Sequence, residues 1–402
     1  MKILNLIKKA QKNNQVKFYI QLVGIAGLIF IILLFGWKKG GVRDIGEEKK
    51  ITLDSKADLK EKGPLVNLKE ALYWINLDDE RIQCQLCPRR CILKDGQKGL
   101  CQARKNIKGK MYALTYGQPV ALHVDPIEKK PLNHVYPGTK SFSLATAGCN
   151  LRCKFCQNWE ISRLDAEKVD VEFVSPKKVV EMAKQSSSKT IAFTYTEPTI
   201  FFEYMLDIAK EAKKQNIDCV MHSAGFIQEK PLREIAKYIK AANIDLKGFS
   251  DEFYSTFIQG DLAVVLNTLK ILKEEGVWLE ITNLIIPGGN DSDEEILQLC
   301  QWIKDNLGKN TPIHFGRFFP MYKLTNLSPT PLSSLLRAYD IAKKVGLNFV
   351  YIGNIPQQIG EDTRCPRCGK MLIKRRGYTI LENNLKEGKC PFCGEKIAGI
   401  WR

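Results

Sequence analysis

The sequence contains no low-complexity segment and no internal repeat with a period of about 20–50 residues. Solenoids and propellers, which are built from such repeats, are therefore excluded. Hydrophobic residues make up 44% and charged residues 26% of the 402 residues, values that are ordinary for a folded protein and exclude a disordered one. The length favours about two or three domains.

Acidic residues are in deficit, since 44 Asp and Glu face 61 Lys and Arg, for a net charge of +17. Residues 1–50 hold ten of the basic and three of the acidic residues. The rest of the chain is only mildly basic, which a solvated surface explains, and we expect no nucleic-acid partner.

Charge is absent from the segment Phe18 to Trp37, FYIQLVGIAGLIFIILLFGW. A helix of this length spans about 30 Å, the thickness of the bilayer hydrocarbon. A cleaved signal peptide is the main alternative, but its apolar region is usually shorter and ends at a small-residue site, whereas GWKKGG follows here. We therefore predict a basic N-terminus at 1–17, a transmembrane helix at 18–37 and a charged tether at 38–77.

Isolated cysteines are few. Of the 13 cysteines, only Cys219 and Cys300 stand alone, and both are expected to be small buried apolar side chains. The other eleven form three tight clusters with metal-ligand spacing. This pattern predicts bound metal and a reducing compartment rather than disulfides.

From about 141 to 357, β-rich segments alternate with amphipathic helical ones, which predicts a parallel sheet with helices outside. We predict strands at 141–147, 190–196, 219–224, 241–247, 277–286, 313–319 and 348–353. About six units favour a partial (β/α)6 TIM-like barrel, whose chemistry would lie at the C-terminal strand ends. Ser292, three residues before Glu295, predicts a helix start with a capping box.

The motif AGCNLRCKFCQNW follows the first predicted strand and contains Cys149, Cys153 and Cys156. Three thiolates at C-x3-C-x2-C can bind three irons of a [4Fe–4S] cluster, and the absence of a fourth nearby leaves one iron open. S-adenosylmethionine (SAM) can chelate that iron, and one electron then breaks its C–S bond to give a hydrogen-abstracting 5′-deoxyadenosyl radical. This spacing is the signature of the radical SAM superfamily, and Phe155 is placed to pack against adenine. A partial zinc site is the alternative.

Further residues are candidates for cofactor binding. Glu197 in FTYTEP resembles the superfamily's acidic motif and would accept hydrogen bonds from the SAM ammonium, although a surface carboxylate in a turn is the alternative. MHSAGF resembles the strand in which glycyl-radical activating enzymes carry Asn before Gly. Ala224 stands there instead, which leaves Ser223 and His222 as candidates.

Later strand ends add four polar candidates. Asp245 and Lys247 are interpreted as catalytic, as cation-binding or as a simple ion pair. Asn283 and His314 are predicted to contact the cofactor, and His314 in particular the ribose, a carboxylate or the substrate.

Two further cysteine groups flank the predicted barrel. CPRCG and CPFCG, with Cys365, Cys368, Cys390 and Cys393, predict a structural zinc ribbon at 358–402, with a rubredoxin-like iron site as the alternative. The group C-x2-C-x3-C-x9-C, in a predicted module at 78–140, comprises Cys84, Cys87, Cys91 and Cys101. It suits either zinc or a second, fully ligated [4Fe–4S] cluster.

Several segments together resemble one family: GCNLRCKFCQNWEIS, HVDPIEKKPLNHVYPGTKSFSLAT, AANIDLKGFSDEFY, NLIIPGGNDSDEE, PIHFGRFFP and VYIGNIP. They resemble the radical SAM enzyme of the AmmeMemoRadiSam system, a family related to the pyruvate formate-lyase activating enzymes, from about residue 78 to 402. The resemblance implies an oxidoreductase that cleaves SAM reductively with an electron donor such as flavodoxin or ferredoxin. A glycyl residue of a partner protein is one target that it implies.

The rival interpretation is a membrane-anchored iron–sulfur or zinc protein that serves electron transfer or assembly without turnover. The open fourth iron and Glu197 favour the enzyme, since a pure electron carrier needs four protein ligands. Because SAM and cluster assembly are cytosolic, we expect a single-pass cell-membrane protein whose catalytic body faces the cytoplasm. The segment from Asp125 to His134 is interpreted as a lid, an entry wall or a structural strut.

Overall fold

The computed structural model describes residues 68–78, 80–357 and 359–402. In this part of the chain no helix has both the length and the apolar character needed to cross a membrane. The predicted membrane span at 18–37 and most of the predicted tether lie outside the described residues.

An N-terminal module consists of six short strands: β1 Lys69–Glu70, β2 Trp74–Asn76, β3 Ile82–Cys84, β4 Ile92–Leu93, β5 Arg104–Ile107 and β6 Lys110–Ala113. They form two antiparallel three-stranded sheets, in the orders β1-β6-β5 and β2-β3-β4. Because β1 and β2 pair within these sheets, the structure assigns residues 69–76 to this module rather than to the predicted tether.

The body of the protein is an eight-stranded sheet. Its strands are β7 Pro119–Pro126, β8 Lys140–Thr146, β9 Thr190–Phe193, β10 Asp218–Ser223, β11 Ile239–Asp245, β12 Trp278–Ile285, β13 Ile313–Arg317 and β14 Val350–Gly353. Neighbours in the sheet follow chain order. Strands β8 to β14 are parallel, whereas β7 runs antiparallel to β8. The seven parallel strands coincide with the seven predicted ones, whereas β7 was not predicted.

One long helix lies between each pair of consecutive parallel strands. The helices are α1 Pro176–Gln185, α2 Phe202–Lys214, α3 Glu229–Ala236, α4 Leu262–Glu274, α5 Asp293–Leu307 and α6 Leu332–Val345. Each buries one apolar face; in α1 that face includes Val179 and Val180, worth about 1.5–3 kcal/mol for each fully buried side chain. The predicted α/β alternation is confirmed.

Helix starts follow local capping chemistry. The Ser175 side chain accepts a hydrogen bond from the Lys178 N–H at the start of α1, and Ser292 accepts one from the Glu295 N–H at 3.2 Å at the start of α5. The Glu295 carboxylate, however, accepts from the Phe249 N–H at 2.6 Å. Only the serine half of the predicted capping box is therefore observed.

The segment between β7 and β8 closes the N-terminal end of the barrel. Ile127, Leu132 and Val135 are fully buried and pack against the inward side chains of β9, β10 and β11. Glu280 of β12, also fully buried, accepts from the His134 N–H at 2.8 Å and from the preceding N–H at 3.0 Å. Of the interpretations of this segment, the structure supports a strut that forms the barrel floor.

A C-terminal module contains the antiparallel strands β15 Thr363–Arg364, β16 Met371–Arg376 and β17 Thr379–Asn383. Its apolar core packs against Phe349 and Tyr351. His134 of the floor connects both parts, since Nδ1 lies 2.7 Å from the Ala398 carbonyl and Nε2 lies 2.6 Å from the Tyr351 hydroxyl. The module is thus attached to the barrel at its floor.

Candidate active site

A cavity of about 680 Å³ occupies the barrel, a size typical of small-molecule sites. It extends from the loop after β8 to the floor segment. The predicted residues that line it are Cys149, Cys153, Phe155, Cys156, Glu197, His222, Ser223, Asp245, Lys247 and His314. The strand order therefore brings nearly all of the predicted site residues to one place.

The three cysteines of the first motif lie on the loop after β8. The loop is held by backbone hydrogen bonds from Arg152 to Ile258 and from Lys154 to Phe257, each 2.9 Å. Burial raises the pKa of Cys153 to about 11 and also raises that of Cys149, so a bound cation is what would hold these thiols as thiolates.

The thiols of this loop are gathered less tightly than the C-terminal cysteines. Among the described residues, only the C-terminal cysteines form a group of three or more possible ligands whose atoms all lie within 4.8 Å of one another. The three sulfurs of the loop are therefore more widely spaced. A [4Fe–4S] cluster needs this, because each thiolate binds a different iron.

Glu197 is 1% exposed and stands at the start of the short turn after β9. Its Oε1 accepts from the Thr199 N–H at 3.1 Å, the Thr199 hydroxyl at 2.8 Å and the Ser223 hydroxyl at 2.7 Å, while Oε2 accepts from the Ala224 N–H at 2.9 Å. Because a carboxylate oxygen has two lone pairs, Oε2 keeps room for one further donor. The structure gives Ser223 the task of orienting this carboxylate.

Asp245 bridges two basic side chains. Its Oδ1 lies 3.0 Å from His222 Nε2, and its Oδ2 accepts from Lys247 Nζ at 2.7 Å. Burial alone would raise the pKa of Asp245, but Lys247 and His222 hold it below its ordinary value. Burial would lower the pKa of Lys247, yet Asp245 raises it. The structure thus shows an ion pair that lines the cavity, with Lys247 Nζ 5.9 Å from the Phe155 ring centroid.

His314 and Asn283 occupy different surroundings. His314 lines the cavity, but its Nε2 lies 2.7 Å from Glu280 Oε2 and its ring stacks on Tyr351. Asn283 is buried outside the cavity lining and donates to the Leu246 carbonyl at 2.8 Å. Its buried Oδ1 has no hydrogen-bond partner among the described residues, and its predicted cofactor contact stays a prediction.

Arg163 and Lys130 are two basic residues of the cavity that were not among the predicted catalytic or cofactor-binding residues. Arg163 donates from Nη1 to the Leu151 carbonyl at 2.7 Å, while its buried Nε has no partner among the described residues. Lys130 is 1% exposed, pairs with Asp125 at 2.5 Å, and burial lowers its pKa to about 8. Arg163 follows the cysteine loop by only seven residues, and this proximity was the available signal.

The C-terminal cysteines form a compact tetrad. Sγ of Cys365 lies 3.6 Å from that of Cys393, and Sγ of Cys368 lies 3.7 Å from that of Cys390. A zinc–sulfur distance of about 2.3 Å in a tetrahedron implies about 3.8 Å between sulfurs. Each CPxCG turn ends in a glycine at φ near +70°, Gly369 at +71° and Gly394 at +75°, where other residues are strained. This geometry fits one tetrahedral ion.

The N-terminal cysteines also meet, around a smaller second cavity. All four of Cys84, Cys87, Cys91 and Cys101 line it. Their spacing differs from that of the C-terminal tetrad. Among the described residues, no three of these four sulfurs all lie within 4.8 Å of one another.

The chain is similar to several known proteins. The fold is similar to the solved structure of Streptococcus suis SuiB bound to S-adenosylmethionine. The similar part covers 55% of this chain and 49% of that one, with a TM-score of 0.43 and 16% sequence identity. The chain is 23% identical over 224 residues to the pyruvate formate-lyase 1-activating enzyme of Escherichia coli (strain K12). This match covers 51% of this chain and 89% of that enzyme.

A longer match is the Uncharacterized protein MJ0808 of Methanocaldococcus jannaschii, 43% identical over 332 residues that cover 82% of this chain and 99% of that protein. The profile of the Radical SAM superfamily matches residues 143–303, which contain the cysteine loop and the Glu197 carboxylate. The chain therefore belongs to the radical SAM superfamily and is related to the pyruvate formate-lyase activating enzymes.

Proposed function

We propose that this protein is an enzyme that cleaves SAM reductively at a [4Fe–4S] cluster held by Cys149, Cys153 and Cys156. When bound, the cluster and SAM would supply a 5′-deoxyadenosyl radical that takes a hydrogen atom from the substrate. The observation that carries the proposal is that three widely spaced thiols, a buried carboxylate and an incompletely paired arginine line one cavity.

Glu197 is suited to hold the SAM ammonium. Four donors fix the carboxylate in place, and Oε2 can still accept one hydrogen bond. A charge-assisted bond of this kind is worth about 1.5–3 kcal/mol. The negative charge also opposes a negatively charged ligand at this position, which favours a cation.

Arg163 is suited to hold the SAM carboxylate. Its charge lies beside the cysteine loop, and its buried Nε–H has no partner among the described residues. An unpaired buried donor costs about 1–3 kcal/mol, a cost that an anionic ligand would remove. Phe155, 4% exposed and stacked on Phe253, supplies an apolar wall for the adenine.

The decisive experiment is anaerobic reconstitution with iron and sulfide, reduction with dithionite in the presence of SAM, and assay of 5′-deoxyadenosine. We expect turnover from the wild-type chain and none from the Cys149→Ala/Cys153→Ala/Cys156→Ala variant. A fully loaded, folded wild-type protein that forms no 5′-deoxyadenosine would reject the enzyme and favour an electron-transfer or scaffold role.

A matched pair of variants tests the ammonium site. Glu197→Gln keeps the shape and removes the charge, so we expect SAM affinity to fall by about 1–3 kcal/mol. Thr199→Val removes one donor to the same carboxylate but leaves its charge, and we expect a smaller loss. Equal losses from both variants would mean that Glu197 acts only by positioning the turn.

The substrate is the less defined half of the proposal. The relatives named for activating pyruvate formate-lyase support a glycyl residue of a partner protein as the target. The motif resemblance supports membership of the AmmeMemoRadiSam system. A one-electron donor of low potential, of the flavodoxin or ferredoxin class, is required because SAM cleavage consumes one electron.

We also propose that the catalytic body faces the cytoplasm and is anchored by residues 18–37. The support is chemical: SAM is cytosolic, and exposed thiol pairs would oxidise outside the cell. Protease digestion of the C-terminal body in intact spheroplasts would reject this topology, whereas protection until lysis is the expected result.

A further inference from the structure

The N-terminal cysteine group gathers four side chains at one place in its module. Cys84 ends β3, and its N–H donates to the Cys91 carbonyl at 3.0 Å. All four cysteines of the group line one cavity together with the buried Arg104. Cys84 is buried and the other three are partly exposed, so the four side chains share one space that metal and sulfide can reach.

The spacing of the sulfurs separates two kinds of metal site within this one chain. The C-terminal tetrad has sulfurs 3.6 and 3.7 Å apart, and all four lie within 4.8 Å of one another. Among the described residues, no three of the N-terminal sulfurs lie that close together. The three loop cysteines of the barrel, for which we propose a [4Fe–4S] cluster, also do not all lie within 4.8 Å of one another. The N-terminal group therefore resembles the cluster-type set rather than the zinc-type set.

The four N-terminal cysteines line a shared cavity of about 20 Å³. This space means that their sulfurs are not drawn together around a single point, as the sulfurs of the C-terminal tetrad are.

Arg104 supports bound thiolates over free thiols. It lines the cavity, is 2% exposed, and pairs with Glu203 at 3.1 Å. Its Nε and Nη1 groups have no hydrogen-bond partner among the described residues. A buried cation with unpaired N–H donors next to four cysteines suits a site that carries negative charge.

We propose that Cys84, Cys87, Cys91 and Cys101 hold a second [4Fe–4S] cluster, in which every iron has a protein thiolate. The inference does not depend on SAM cleavage. It assigns this group a different metal from the C-terminal tetrad, although both consist of four cysteines.

The proposed site lies directly beside the barrel loop. A Cβ at Gly148, the residue before Cys149, would stand 2.3 Å from the Cys101 carbonyl oxygen. Arg152 spans the same gap, since Nη1 donates to the Cys149 carbonyl at 2.8 Å and Nη2 donates to the Leu100 carbonyl. The two sets of thiols thus share a wall and are not separate modules on a flexible connection.

The test uses the full chain carrying Cys149→Ala/Cys153→Ala/Cys156→Ala, so that the barrel cluster cannot contribute. The protein is reconstituted anaerobically with ferrous iron and sulfide in the presence of equimolar zinc. We expect about four irons, four sulfides and one zinc per chain. We also expect an EPR signal after dithionite reduction that SAM does not change, because no iron is open. Adding Cys87→Ala and Cys101→Ala should remove the iron and leave the zinc.

Two zincs per chain with no acid-labile sulfide would overturn the proposal, as would iron that persists after Cys87→Ala and Cys101→Ala. A control variant, Cys219→Ser/Cys300→Ser, changes two buried cysteines outside the groups and should keep all the iron. If the barrel variant does not fold, the wild-type chain decides, since about eight irons support the proposal and about four irons with two zincs reject it. These counts stand whether or not the protein cleaves SAM.

Discussion

The two four-cysteine groups use the same donor atom in opposite settings. The C-terminal tetrad is formed by two equivalent CPxCG turns on a small sheet, with Cys368 exposed. The N-terminal group has irregular spacing, lies against loops of the barrel and shares its cavity with the buried Arg104. The comparison teaches that one donor set can be presented by the backbone at two different sulfur spacings, and the metals that we propose for the two groups follow from that difference.

The largest expected effect comes from breaking the tight tetrad. Structural zinc is worth about 10–16 kcal/mol in zinc-finger peptides, so Cys390→Ala should unfold the C-terminal module. Metal analysis should show the loss of about one zinc with all iron retained, and limited proteolysis should cleave within 358–402. Loss of iron instead of zinc would reverse our assignment of the two groups.

A smaller effect is expected from the arginines near each group. Arg104 and Glu203 form an ion pair in which both side chains are at most 2% exposed, so Arg104→Leu should destabilise the protein by about 3–5 kcal/mol. Adding Glu203→Leu should recover part of that loss. Denaturant unfolding under anaerobic conditions measures both.

The matched control lies at the other group. Arg367 is 68% exposed and 4.0 Å from Glu395, so Arg367→Leu should change the free energy of unfolding by less than about 1 kcal/mol. If both arginine variants had equal effects, the buried charge near the N-terminal group would have no special role.

The attachment of the C-terminal module predicts a pH dependence. Burial lowers the pKa of His134 to about 4, below its ordinary value of about 6.5. Between these values the unfolded chain binds the extra proton, so stability is fully present above pH 6.5 and falls as pH approaches 4. The expected loss between about pH 7 and pH 5 is about 2 kcal/mol.

His134→Gln isolates this histidine from the other titrating groups. Denaturant unfolding of the variant should have lower stability at neutral pH and a shallower slope over the same range. An unchanged slope would show that another group causes the acid sensitivity.

A small effect, confined to stability, should come from a cysteine outside all three groups. Cys300 is fully buried in α5, and Cys300→Ala should cost about 1 kcal/mol, a typical value for a modest core change. Iron and zinc contents should remain at the wild-type values. Loss of either metal would mean that a cysteine outside the three groups also binds metal, so that the groups seen in the sequence do not contain all of the ligands.

The sequence was sufficient for the parallel strands and the cysteine loop, because hydrophobic runs and short spacings are local signals. It did not predict β7, whose side chains are mostly half-buried and whose ends are prolines, since neither feature is typical of a strand.

The supporting residues of the site could not be predicted for a different reason. Glu280 accepts hydrogen bonds from backbone groups 146 and 147 residues away, and Arg104 pairs with Glu203 across the molecule. No local pattern encodes such contacts. The one local signal was Glu280, an acidic residue within the apolar segment VWLEITNLII. The structure explains it, because its carboxylate accepts the two backbone hydrogen bonds of the floor segment.

The barrel floor has a consequence for the reaction chamber as a whole. Arg375 of the C-terminal module lines the main cavity and donates to the Asn133 carbonyl at 2.8 Å, next to His134. The C-terminal module therefore supplies part of the wall of the cavity. Loss of the ion that we expect at the tetrad should be felt in that wall as well as at the surface.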